Sequence, residues 1–116
     1  MKTSNKIVNK RATDPYDILI FEKGLRSTDL VIYPKLNLMV VVLNSGNTLN
    51  VKISDYPRLK KATEKQLKNW TMIEDGTGFH WEELDEDLSL QGFIKTSAYN
   101  AALQNLINQK TNLLIA

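Results

Sequence analysis

The 116-residue chain has no cysteine and a single histidine, His80. Lack of cysteine excludes disulfides, thiol nucleophiles and thiolate metal ligands, and it fits a reducing compartment. A lone histidine leaves no His-x-x-His pair and so no spacing for a zinc site. No apolar run exceeds the six residues Leu38–Leu43, far short of the roughly 20 that span a bilayer. Lys2, Lys6, Lys10 and Arg11 crowd the start with only Ile7 and Val8 between them, which is not the core of a signal peptide. There is no G-x-S-x-G, no Gly-rich phosphate loop and no dinucleotide fingerprint. No nucleophile, base and orienting group form a set. The expectation is a cytoplasmic, non-catalytic protein with no cofactor and no membrane contact.

What is present suits one domain. The length allows a real core, and 42% hydrophobic with 24% charged residues is ordinary globular usage. Net charge is only +2, but it is unevenly spread. Residues 1–35 hold seven basic and four acidic residues, and residues 52–68 hold six and two. Residues 74–87 hold seven acidic residues and no basic one. Such asymmetry bears on association rather than on fold.

Along the chain, residues 1–15 read as a basic, loosely held terminus. The β-favouring stretches Tyr16–Glu22 and Asp29–Tyr33 predict strands, the second stopped by Pro34. Leu38–Leu43 and Thr48–Ile53 flank Asn44-Ser45-Gly46-Asn47, a β-hairpin pattern. Leu49, Val51 and Ile53 alternate with Thr48, Asn50 and Lys52, giving one buried and one wet face, whereas the first arm is apolar on both and belongs at the sheet centre. Thr63-Glu64-Lys65-Gln66 carries the capping-box pattern for a short helix over about 64–70. Thr71–Glu74 and Phe79–Trp81 predict further strands around an Asp75–Gly78 turn. Ser97 is placed to cap a last helix, whose Tyr99, Ala102, Leu103, Leu106 and Lys110 recur at helical spacing. Strands precede and mix with helices without a βαβ rhythm. The expected fold is α+β: a small antiparallel sheet, a hairpin-centred meander, with one or two short helices over 16–96 and a C-terminal helical extension over 97–116.

Several short motifs occur in a telling order: Tyr56-Pro57-Arg58-Leu59, Ala62-Thr63, Asn69-Trp70, Gly76-Thr77-Gly78-Phe79-His80-Trp81 and Leu84-Asp85-Glu86-Asp87-Leu88-Ser89. Over residues 29–96 this resembles the domain-of-unknown-function family 2442, with Ser45-Gly46 where the family often has Asp-Gly. The resemblance implies a small bacterial protein encoded beside another short protein, with an antitoxin-like role. Some relatives carry a helix-turn-helix after the shared part, and residues 97–116 have room for only one helix.

The candidate partner-binding residues are Glu82, Glu83, Asp85, Glu86 and Asp87, which could meet a basic protein encoded nearby. The alternative for the same residues is a solvated turn in which Asp87 or Ser89 caps the next helix. A cation site using His80, Asp85 and Asp87 lacks any spaced-acid loop pattern. A second functional reading is a nucleic-acid-associated regulator using Arg58, Lys60, Lys61, Lys65 and Lys68. Trp70, His80, Trp81 and Leu84 are expected to be structural. A homodimer is also open, since the last helix's stripe could pack on its own core or on a second copy.

Overall fold

Two antiparallel meanders, orders β1-β2-β3 and β4-β5-β6, share one apolar core. A computed structural model describes residues 14–115, with side chains to residue 110. The expected loose terminus over 1–15 therefore falls almost wholly outside the described residues. The first meander is β1 (Ser27–Tyr33), β2 (Leu38–Leu43) and β3 (Thr48–Lys52). As its two apolar faces required, β2 is central, pairing with β1 through Val31–Val40 and with β3 through Val40–Asn50. Gly46, at φ 92°, closes the β2–β3 turn with its amide on the Leu43 carbonyl at 3.0 Å.

The chain then crosses over two short helices, α2 (Pro57–Lys60) and α3 (Glu64–Lys68). The expected capping box of α3 is present: Gln66 donates its amide to Thr63 Oγ1 at 3.2 Å, and the Thr63 amide donates to Gln66 Oε1 at 3.0 Å. The second meander is β4 (Trp70–Ile73), β5 (Gly78–Trp81) and β6 (Glu86–Ser89). The last helix, α4, runs from Leu90 to Ile115.

Four expectations need correction. Tyr16–Glu22 is not a strand: α1 (Pro15–Asp17) continues into a wider helical turn over Ile18–Glu22. Asp14 caps it by accepting from the Tyr16 amide at 2.9 Å, with Pro15 at the first helical position, and this start signal outweighs β-propensity. Gln91 of α4 donates to Asp17 at 2.6 Å, so the segment docks on a helix instead of a sheet. Helix α3 stops at Lys68, and Trp70 opens β4. Residues 86–89 form a strand that the acidic composition hid. Finally, α4 starts at Leu90, with Ser89 Oγ accepting the Gly92 amide at 3.0 Å; Ser97 lies inside it.

The core is centred on β5. Phe79 and Trp81 point to the same face and are fully buried, with Leu59, Leu67, Leu90 and Phe93 around them. Rings meet edge to face along Trp70–Phe79, Phe79–Phe93 and Phe93–Tyr56, with centroids 5.4, 5.8 and 5.9 Å apart. The Trp81 indole N–H donates to the Leu67 carbonyl at 2.8 Å. That carbonyl belongs to the last turn of α3, where helical acceptors lose their partners. One side chain thus fills the core and terminates the crossover.

The two meanders also touch through Gly76, where a Cβ would sit 2.5 Å from the Ser27 carbonyl oxygen and φ is +85°. Gly46 has a similar φ and open space around it. Denaturant unfolding should separate the two: Gly46→Ala is expected to cost about 1–2 kcal/mol from backbone strain, and Gly76→Ala about 3 kcal/mol or more because backbone must move. Equal losses would show that Gly76 is not a contact between the sheets.

Candidate acidic site on the β5–β6 hairpin

β5 and β6 pair from Gly78–Ser89 to Trp81–Glu86, so the acidic segment is a β-hairpin whose loop is residues 82–85. The loop closes with the Asp85 amide on the Glu82 carbonyl at 3.3 Å and with Asp85 at φ 49°. Asp is one of the few side chains that tolerate this left-handed conformation. Leu84 turns back and packs against the core. The chain therefore anchors the loop by one leucine and leaves its acids outside.

The five candidate carboxylates sit on this one edge. The side chains of Glu82, Asp85 and Asp87 are 87%, 98% and 68% exposed. Glu83 is exposed, and Glu86, half-buried, accepts the Asp87 amide at 3.2 Å. Two of the chain's own cationic groups reach them. Arg58 donates to the Asp85 backbone carbonyl and lies 3.9 Å from its carboxylate. His80, directly across the ladder from Asp87, contacts that carboxylate through Nδ1 and Glu82 through Nε2 at 3.0 Å. Five carboxylates thus face one guanidinium and one titratable imidazole. The edge remains negative.

His80 projects from the face opposite Phe79 and Trp81, so its hydrogen-bond partners are carboxylates. A neutral imidazole has one N–H and can donate to only one of two acceptors; the imidazolium donates to both. The Asp87 hydrogen bond first, then that of Glu82, accordingly holds the His80 pKa above its usual 6.5. With both nitrogens engaged, the ring is held in one orientation against the hairpin. Among the described residues no group of three or more His, Asp or Glu is placed to hold a metal ion.

The basic residues Arg58, Lys60, Lys61, Lys65 and Lys68 are all exposed, on α2, α3 and the link between them. Arg58 is bound to the acidic loop, and Lys68 lies 4.0 Å from Glu64 one turn away. Of the structural candidates, Trp81 is buried, while Trp70 and Leu84 are partly buried against the core. Sequence reasoning missed the neighbouring cleft of about 180 Å³, lined by Tyr56, Asp87, Ser89, Phe93 and Thr96. It is smaller than the roughly 300 Å³ at which small-molecule pockets usually begin. No helix among the described residues is long and apolar enough to cross a membrane.

Comparison with known proteins places these features in a wider set. A family model described as "Protein of unknown function (DUF2442)" matches residues 31–99, which include both meanders from Val31 onward and the acidic hairpin. A crystal structure of a protein of unknown function from Rhodospirillum rubrum is similar at 29% identity and a TM-score of 0.57, over 62% of this chain and 87% of that one. The solution NMR structure of an uncharacterised protein from Chromobacterium violaceum is similar at 23% identity and a TM-score of 0.57, over 74% and 78%. No curated protein matches the chain.

The double engagement of His80 fixes a sign for pH dependence. A pKa raised in the folded state means that the contribution is complete below about pH 6.5 and is lost as pH rises through the folded value. Proton NMR titration should place the His80 pKa above 6.5, and Asp87→Asn should bring it back toward 6.5. A wild-type value at or below 6.5 would contradict the clamp.

Proposed function

The chain belongs to the family described as Protein of unknown function (DUF2442), and on that premise we propose a non-catalytic, cytoplasmic interaction module that is antitoxin-like in binding a basic protein partner encoded beside it. The partner would dock on the outer edge of the β5–β6 hairpin. The observation that carries this reading is the outward exposure of Glu82, Asp85 and Asp87 on a loop that Leu84 pins to the core. Held in place before binding, these carboxylates cost little ordering on association, and their field steers a cationic surface toward the edge. The non-catalytic part rests on the sequence pattern, in which no nucleophile, base and orienting group form a set.

Arg58 and His80 have a natural place in this reading. They are internal counter-ions that a basic partner would displace or compete with, which favours partners of higher charge density over stray lysines. The nucleic-acid alternative has weaker support. Its Arg58 sits against Asp85 and its Lys68 near Glu64, so negative charge lies beside the surface that would have to meet phosphates.

The test is co-expression with the product of the adjacent gene, followed by size-exclusion chromatography at about 50 mM and 500 mM salt. A complex is expected at the lower salt, weakened at the higher. A variant carrying Glu82→Gln, Glu83→Gln and Asp85→Asn should lose it while keeping its thermal stability within about 1 kcal/mol, as surface ion pairs contribute little. Absence of a complex at both salt levels, or a complex indifferent to the triple substitution, would refute the docking edge.

A further inference from the structure

Helix α4 extends well beyond the body it is anchored to. Its first turns are covered: Leu90, Phe93 and Ile94 are buried, and Asn100 still donates to Asp55 at 3.3 Å. Every residue from 101 to 110 is exposed. In that stretch and just before it, Tyr99, Leu103 and Leu106 are 67%, 45% and 52% open to water. With Lys110 they step by four, three and four residues, the spacing of a coiled-coil seam. The charge pattern is as informative: from Thr96 onward, Lys110 is the only Lys, Arg, Asp, Glu or His in the sequence.

We infer that this seam, Tyr99–Leu103–Leu106–Lys110, pairs antiparallel with the same seam of a second copy. The charge arrangement selects both the occupant and the direction. A strongly charged foreign helix would find only a single cation to answer it. In a parallel pair of identical chains, Lys110 would lie against Lys110 of the other copy. Turned antiparallel, with Leu103 opposite Leu106 of the second copy, each Lys110 lies opposite the Tyr99 ring of the other chain. A cation over an aromatic face is attractive. The seam is thus complementary to itself in one orientation and repels itself in the other. The bodies, attached near residue 90 of each helix, fall at opposite ends of the pair. The paired side chains remove on the order of 700 Å² from water, below the roughly 1,200 Å² of a stable interface. The dimer is therefore weak and concentration-dependent.

This surface is separate from the acidic hairpin, so either can fail alone. Sedimentation equilibrium of the full chain, from about 10 μM to 1 mM, should show a dimer fraction that grows with concentration. The variant Leu103→Asp with Leu106→Asp should stay monomeric throughout, with unchanged His80 and Trp81 resonances. The cysteine-free background allows a direct reading of orientation. Tyr99→Cys mixed with Lys110→Cys should give a disulfide-linked heterodimer under oxidation. Tyr99→Cys alone should not cross-link, because eleven residues keep the two sites about 17 Å apart along the axis, beyond the roughly 7 Å a disulfide allows. A wild-type chain monomeric at 1 mM, or Tyr99→Cys cross-linking by itself as readily as the mixture, would overturn the inference.

Discussion

The indole of Trp81 is the contact on which the rest of the molecule turns. Its ring is fully buried at the C-terminal end of β5, and its N–H ends α3 by donating to the Leu67 carbonyl at 2.8 Å. A helix of five residues has no length to stabilise itself. It persists because one end is capped by Thr63 and Gln66 and the other by a side chain from the sheet it leads into. In the same core a packed ring series runs from Trp70 through Phe79 and Phe93 to Tyr56, which holds α4 against the second meander. Fold and crossover therefore share one anchor.

Alternation along a strand turns that anchor into a surface. Phe79 and Trp81 point inward, so His80 between them must point outward. Antiparallel register then puts Asp87 directly across from it. The His80 clamp is thus a by-product of burying two aromatics, and it offsets part of the repulsion among five crowded acids. Charges on β6 also keep an exposed edge strand from pairing indiscriminately. The acidity that suggests a docking edge serves the isolated molecule as well.

Much of the antiparallel α+β architecture was readable. The β2–β3 hairpin, the central place of β2 and the α3 capping box followed from alternation, turn residues and a four-residue cap pattern, all of them local rules. The errors came where local rules conflicted. Tyr16–Glu22 has strand composition, but Asp14-Pro15 is a helix start, and contact with Gln91, distant in sequence, favours the helix. Glu86–Ser89 alternates half-buried and exposed residues as a strand should, yet its carboxylates argued for a turn. Of those acids Asp87 is exposed and Glu86 half-buried. Their arrangement around His80 was not visible, because it depends on ladder register rather than on spacing along the chain. The cap at Ser89 was among the readings of the sequence and is present, but the last helix was started at Ser97, which offers a second cap residue within what is one continuous helix from Leu90.

Hydrogen exchange of the two indole N–H groups is the most direct measure of the anchor. The chain has only two tryptophans, so two resonances carry the comparison. The Trp81 proton, buried and bonded to the end of α3, should exchange only when the whole molecule unfolds, at the rate of the slowest β5 amides. If it exchanges rapidly while those amides stay protected, α3 is not held by Trp81, and another contact must join the two halves of the fold.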